Sequence, residues 1–125
     1  MHITGVSPEC QAIEDEYSLH EQVYDTKEEC EWVIQWLAKQ MNLPAPYLEI
    51  KGRSTTRQYG RYTMSLQLIT LWPLGMTMAT ILHEFAHHRR NVKYQTKPKK
   101  PHDSTFHYNH RFVLSYVREL MLAGG

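Results

Sequence analysis

The sequence has few cysteines, and the two that it has are not spaced for metal binding. Cys10 and Cys30 are twenty residues apart, and neither belongs to a C-x-x-C pair of the kind that holds zinc or exchanges disulfides. We therefore expect no metal site built on cysteine.

Long apolar runs are absent as well. The first five residues do not begin a basic segment followed by an apolar one, as a secretory signal does. No window holds the roughly 18 apolar residues that a membrane-spanning helix needs. The sequence therefore predicts a soluble protein without a membrane partner, in the reducing environment of the cytoplasm.

Acidic residues become scarce after position 31. Nine of the thirteen lie within the first 31 positions, so the rest of the chain is basic although the formal net charge is only +1.

A chain of 125 residues with 42% hydrophobic content can form one domain with a core, but not two. We therefore expect a single domain over residues 1–125. Residues 1–24 show no sustained period, so we expect an irregular lead-in there, without a role in function.

Capping signals and apolar periodicity predict three helices. Thr26 and Glu29 form a capping box, and apolar residues follow it at helical spacing until the chain reaches Pro44. A second helix is expected from residue 77 to about residue 92, and a third from the capping residue Asp103 or Ser104 onward. Residues 93–101, with four lysines and two prolines, are expected to form an exposed loop.

The segment of residues 47–72 has the composition of a small sheet. Apolar and charged residues alternate at its start, which favours two or three short strands. The strongest candidate is the β-branched and apolar run of residues 65–72, which is ended by Pro73 and Gly75. This strand would lead directly into the second helix.

The second helix carries the H-E-x-x-H pattern, as His83-Glu84-Phe85-Ala86-His87. Histidines four residues apart lie on one helix face, so both imidazoles can approach one ion at about 2.0–2.1 Å. Glu84 is offset by about 100° around the helix, so its carboxylate can reach a zinc-bound water without taking a coordination position. We predict one Zn²⁺ per chain, with Glu84 as the general base that activates water.

A third metal ligand must come from another segment, because a catalytic zinc usually has three protein ligands and one water. His88 points about 100° away from His87 and is expected to be exposed. The metzincin pattern is excluded because Arg90 and Lys93 stand where its glycine and histidine would be. The remaining donors are His102, Asp103, His107, His110 and Glu119.

The order of these residues resembles the SprT-like zinc metallopeptidases, a family that extends to small bacterial and phage metallohydrolases. In that family an H-G-x-x-F or H-G-x-x-W pattern opens the helix after the H-E-x-x-H helix. Here it reads His102-Asp103-Ser104-Thr105-Phe106, with Asp103 in place of the glycine. The resemblance, over about residues 71–121, implies His102 as third ligand. His107 and His110 stay open as alternatives among the remaining donors. Asp103 can cap the helix or compete as a ligand.

The same resemblance implies a fold and a set of partners. The fold would be a single α+β, zincin-like domain, in which an N-terminal helix and a small sheet support the metal-binding helix and a C-terminal helix. The substrate would be a protein or peptide, paired in extended form with a sheet edge. The strand of residues 65–72 is the candidate edge, and Tyr59, Tyr62 and Trp72 are candidates to line the cleft or the core.

A basic run suggests a second partner. Residues 89–100 contain six positive charges and no acid, a composition that can hold a nucleic-acid backbone or keep a loop solvated. SprT-like enzymes include some that digest proteins crosslinked to DNA, so the resemblance makes DNA a candidate partner. The candidate contacts are Lys93, Lys97, Lys99 and Lys100.

Three functions fit these patterns. The first is hydrolysis of peptide bonds by a zinc metallopeptidase. The second is a zinc-dependent hydrolase of a non-peptide substrate, which the same ligands would serve. The third is a non-catalytic, zinc-stabilised module that binds nucleic acid or protein, in which a fourth ligand from Asp103 or His107 would close the site to water.

Overall fold

The computed structural model describes residues 8–17, 19, 21–52, 58–94 and 100–124. Within these residues the chain forms an α+β fold of four α-helices and one three-stranded sheet, which confirms the expected class. In chain order the elements are α1 (Pro8–Tyr17), α2 (Lys27–Gln40), β1 (Tyr47–Ile50), β2 (Gly60–Thr63), β3 (Leu68–Leu71), α3 (Met78–Tyr94) and α4 (Ser104–Ala123). Among the described residues, none of the helices combines the length and the apolar character needed to cross a bilayer.

The three helices expected from the sequence are present, and α2 and α4 begin at the capping residues that predict them. The Thr26 hydroxyl accepts a hydrogen bond of 3.2 Å from the Glu29 backbone N–H, which confirms the capping box of α2. The Asp103 carboxylate accepts a hydrogen bond of 2.7 Å from the Phe106 backbone N–H at the start of α4. At the start of α3, the Thr77 hydroxyl accepts one of 3.3 Å from the Thr80 backbone N–H.

The sheet has the order β1-β3-β2, with β3 parallel to β1 and antiparallel to β2. The number of strands agrees with the sequence, but the expected sheet edge is wrong. The strand within residues 65–72 is β3, the central strand, whose two sides are paired with β1 and β2. Residues 65 and 66 lie instead in the 3₁₀ turn Met64–Leu66. The edges of this sheet are therefore β1 and β2.

The expectation of an irregular segment over residues 1–24 is wrong for residues 8–17, which form α1. Pro8 is the first helical residue, a position that tolerates proline because its missing N–H would have no partner there. Cys10 and Ile13 are buried on the inner face of the helix, which packs against α4. A fully exposed lead-in would leave that apolar face in water.

The segment after α1 also has a structural role, at the N-terminus of α3. Glu21 accepts a hydrogen bond of 3.0 Å through its carboxylate from the Ala79 backbone N–H. The Gln22 carbonyl accepts another of 2.8 Å from the Met78 N–H. A carboxylate at this end is favoured by the helix dipole. The acidic region thus helps to fix where the motif-bearing helix begins.

The core lies where α3 meets the sheet, α2 and α4. Its buried apolar residues come from every helix and from β3, and include Ile34 and Leu37 of α2, Ile69 and Leu71 of β3, Ile81, Leu82 and Phe85 of α3, and Phe106, Val113 and Leu114 of α4. Because α3 packs most extensively on α4, the two histidine-bearing elements are held in fixed relation.

Candidate metal centre

His83 and His87 lie one turn apart on α3, as the helical spacing predicts. Their ring centroids are 5.2 Å apart. One nitrogen of each ring and one carboxylate oxygen of Glu84 lie within 4.8 Å of one another. This is the geometry in which two imidazoles can share an ion with a carboxylate beside it.

His102 approaches His83 from the turn that precedes α4, in a donor group separate from that of His83, Glu84 and His87. Its Nε2 lies 3.2 Å from Nε2 of His83, and its ring centroid lies 5.1 Å from that of His87. Two nitrogens bound to one tetrahedral zinc at about 2.0–2.1 Å are about 3.3–3.4 Å apart. The separation of the His83 and His102 nitrogens therefore matches one edge of such a coordination sphere.

The cluster is held in the uncharged form that binds metals. Burial, followed by the neighbouring histidines, lowers the pKa of His83 well below 6.5 and that of His87 to about 3. Burial also lowers the pKa of His102. A metal ion binds the neutral imidazole, so these rings need lose no proton at neutral pH.

Several buried nitrogens beside the cluster have no hydrogen-bond partner. They include Nδ1 of His83, Nδ1 of His107 and both ring nitrogens of His110, whose side chain is fully buried. The Glu14 carboxylate lies 3.7 Å from Nε2 of His110, which is too long for a hydrogen bond. A buried polar atom without a partner costs free energy, and an ion held by Glu14, His83 and His110 would satisfy one ring nitrogen of His110. The donor set therefore fits a metal ion.

Glu84 of α3 is 6% exposed, and its side chain is directed toward the edge strand β2. A Cβ on Gly60 of β2 would lie 3.1 Å from its Oε2, so the glycine leaves room for the carboxylate. Burial alone raises the pKa of Glu84 to about 8. A cation nearby would lower this pKa toward neutrality, where a carboxyl group can both accept and return a proton.

Two further donor groups use residues that the sequence did not single out. Cys10, His83 and His102 offer one donor atom each within 4.8 Å of one another, and so do Glu14, His83 and His110. All three donor groups of the described residues share His83, and two of them include a residue of α1. One of these groups includes a cysteine, Cys10, although the sequence predicts no metal site built on cysteine. The helical spacing of Cys10, Ile13, Glu14 and Tyr17 is the sequence feature that could have indicated helix α1.

The alternative donors lie in different surroundings. His107 on α4 is partly buried and belongs to none of the donor groups found among the described residues. His110 belongs to one, and its ring centroid lies 5.2 Å from that of His83. Asp103 caps α4 and accepts a 3.1 Å hydrogen bond from Arg90, which occupies its carboxylate. Glu119 is exposed.

His88 is fully buried, so the expectation that it is exposed is wrong. Its Nε2 lies 2.7 Å from the Pro44 carbonyl and must donate, because a carbonyl only accepts. Its Nδ1 then accepts a 2.8 Å hydrogen bond from the Tyr62 hydroxyl. Both nitrogens are used, and His88 ties α3 to the sheet and to the loop before β1.

The aromatic residues expected at a cleft or in the core are all half-buried. Tyr62 accepts a 3.0 Å hydrogen bond from Asn91 in addition to its bond with His88, so its hydroxyl has a structural role. Its ring lies parallel to that of His87, with centroids 6.3 Å apart. Trp72 lies under the Arg61 guanidinium, and Tyr59 accepts a backbone hydrogen bond from Trp72.

The basic run divides into inward and outward residues. Arg89 is buried, with its guanidinium bonded to Asn109 and 3.6 Å from the Phe112 ring centroid. Arg90 is buried beside Asp103. Lys93 and Lys100 are exposed, whereas Lys97 and Lys99 lie outside the described residues. The outward charge is therefore smaller than the sequence suggests.

Comparisons of this chain with protein-family models, with curated proteins and with solved structures give no match.

Proposed function

We propose that this chain is a zinc metallopeptidase of the SprT-like, zincin-type class. The observation that carries the proposal is the 3.2 Å separation of the His83 and His102 ring nitrogens. It brings the motif helix and the turn before α4 to one point, as a three-histidine site requires. A second support is the order of the donors along the chain, in which the H-E-x-x-H motif is followed by His102, as in the SprT-like pattern.

In this proposal His83, His87 and His102 hold the zinc ion. Zinc, when bound, lowers the pKa of a water ligand to about 7 and polarises a carbonyl group. Glu84 lies beside the histidines and takes the proton that the water gives up. Because burial favours its protonated form, Glu84 can keep this proton until the leaving amine accepts it.

The edge strand β2 is the surface that fits an extended substrate in this proposal. Strand β3 pairs with one side of β2, and a Cβ built on Gly60, at the start of β2, would lie 3.1 Å from Oε2 of Glu84. A peptide that adds as a strand to β2 would gain main-chain hydrogen bonds. The scissile bond would then lie close to Glu84.

A non-catalytic, zinc-stabilised module is the second candidate. It is favoured by the position of Cys10, which offers a sulfur ligand within reach of His83 and His102. A site with four protein ligands has no position for water, which is the pattern of structural zinc. A role in DNA binding stays a prediction, for which Lys93 and Lys100 provide the exposed charge among the described residues.

The substitution Glu84→Gln tests the catalytic proposal, because the amide keeps the shape of the carboxyl group and cannot accept the proton. We expect about one zinc per chain in both proteins, and cleavage of a denatured protein slower by about 10²–10⁴-fold in the variant. Metal analysis and a gel or fluorescence assay measure the two quantities.

The matched control is Glu119→Gln, a change to an exposed carboxylate on α4. This variant should cleave at the wild-type rate. Equal rates for wild type and Glu84→Gln would refute the proposed role of Glu84. Zinc binding without cleavage of any protein would favour a non-peptide substrate or the non-catalytic module.

A further inference from the structure

Helix α1 lies over the candidate metal centre and presents donor atoms to it. Cys10 and Glu14 are four residues apart, so they lie on one face of α1, as His83 and His87 do on α3. Cys10 is fully buried and shares a donor group with His83 and His102. The helix that the sequence marks as an acidic lead-in is thus one wall of the site.

The Cys10 sulfur would have to move only a short distance to share an ion with His83 and His102. The Cys10 sulfur and the two histidine nitrogens all lie within 4.8 Å of one another. A sulfur at about 2.3 Å and a nitrogen at about 2.0–2.1 Å from one tetrahedral zinc are about 3.5 Å apart. A shift of about 1 Å in side-chain position would therefore let all three bind one ion.

Buried nitrogens without hydrogen-bond partners lie beside these donors, which is a second observation that points to a ligand. His110 is fully buried with both ring nitrogens unbonded, and Nδ1 of His83 is buried and unbonded beside it. Glu14 of α1 approaches both residues. The space between α1, α3 and α4 is therefore lined by donors from all three helices.

We propose that Cys10 is the fourth ligand of the metal and that α1 thereby closes the site to water and substrate. The inference rests on the metal site of the proposed function. On binding, the Cys10 thiol releases its proton to solvent, and its sulfur takes the position that a catalytic zinc keeps for water. No electron is transferred, so release of α1 returns the thiol and reopens that position.

Zinc X-ray absorption of the metal-loaded protein tests the ligation directly. The wild-type spectrum should contain one sulfur neighbour at about 2.3 Å among nitrogen neighbours. Cys10→Ser should lose the sulfur neighbour while it keeps the metal. Cys30→Ser is the matched control, because Cys30 is an equally buried cysteine of α2 that belongs to no donor group of the described residues. Cys10→Ala serves as a second variant should serine not be accommodated.

Absorption of the cobalt-substituted proteins gives the second readout. A thiolate-to-cobalt charge-transfer band should appear in wild type and in Cys30→Ser, and should be missing in Cys10→Ser and Cys10→Ala. Only nitrogen and oxygen neighbours in wild type, or a band that survives the loss of Cys10, would overturn the inference. A wild-type chain that binds no metal would overturn it together with the metal site of the proposed function.

Cleavage assays separate this inference from the proposed function. If the closed form outweighs the open one by ten to one, Cys10→Ser should cleave a denatured protein about tenfold faster than wild type. Added Glu84→Gln should abolish that gain. A wild-type sulfur ligand together with an inactive Cys10→Ser protein would support the fourth ligand and refute the peptidase. An active wild type without a sulfur ligand would do the reverse.

Discussion

The residues of the candidate site differ in how far their positions depend on distant parts of the chain. His83, Glu84 and His87 share one helix, so the helical repeat alone relates them, and a sequence reveals their spacing directly. His102 is brought to them by the packing of α4 on α3. Its candidacy rested on resemblance, and its 3.2 Å approach to His83 is a tertiary feature.

Cys10 and Glu14 could not be connected to the site from the sequence. They are separated from His83 by about seventy residues of chain, and no local rule relates positions so far apart. Their approach depends on the packing of α1 against α4. His88 shows the same limit, because its burial comes from contacts with Pro44 and Tyr62 in other elements.

Replacing His102 with alanine tests the third ligand at the residue scale. We expect zinc affinity to fall by about 100-fold or more, because the loss of a direct ligand should cost at least as much as the loss of an outer partner. Competition with a chromophoric chelator measures the affinity. His107→Ala is the matched control on α4 and should bind zinc within a few-fold of wild type; equal affinity of His102→Ala and wild type would remove His102 from the ligand set.

At the scale of elements, the boundaries with strong local signals were predictable. α2 and α4 begin at Thr26 and Asp103, where a side chain satisfies a backbone N–H. α1 was missed because its few apolar residues are diluted among acidic ones. The order of the strands was also missed, since pairing of β3 with both neighbours depends on contacts beyond the local sequence.

The turn that joins β3 to α3 sets where the motif helix starts. Gly75 ends the 3₁₀ turn Pro73–Gly75 and is buried, and a Cβ there would overlap the Tyr59 carbonyl oxygen. That oxygen belongs to the backbone just before β2, so it cannot swing aside as a flexible side chain can. The close approach of the two segments requires glycine.

Gly75→Ala should therefore destabilise the fold by about 3 kcal/mol or more, the upper range of overpacking costs. Urea unfolding followed by circular dichroism measures the change. Gly52→Ala is the matched control, because a Cβ at Gly52 meets nothing within 4 Å, and its effect should stay within about 0.5 kcal/mol. Similar midpoints for Gly75→Ala and Gly52→Ala would contradict the close approach.

At the scale of the whole molecule, the free energy of unfolding depends on pH because several ionisable groups are buried. In the metal-free protein the folded chain keeps a proton on Glu84 up to a pKa of about 8, whereas the ordinary pKa of a glutamate is 4.5. Between these values the folded state binds more protons than the unfolded state. The free energy of unfolding therefore falls as pH rises through this window, by at most about 1.4 kcal/mol per pH unit for this group.

Glu84→Gln should remove this loss. In metal-free protein, the stability of the variant relative to wild type should rise steadily from pH 5 to pH 8, as chemical denaturation at each pH would measure. The buried histidines have lowered pKa values and cost stability as pH falls below about 6.5, but wild type and variant share this effect. Glu119→Gln should show no such trend, and a constant difference for Glu84→Gln would contradict the raised pKa.

The pairing of α1 with α4 also has a consequence for how the chain is made. The contact between Glu16 and Arg111 joins residues 95 positions apart, and a ribosome adding about 5–20 residues per second needs about 5–20 seconds to cover that distance. Throughout that interval the apolar face of α1 has been synthesised and its partner helix has not. We therefore expect the nascent chain to expose α1 to chaperones, and the candidate metal centre to assemble only after His102 has emerged.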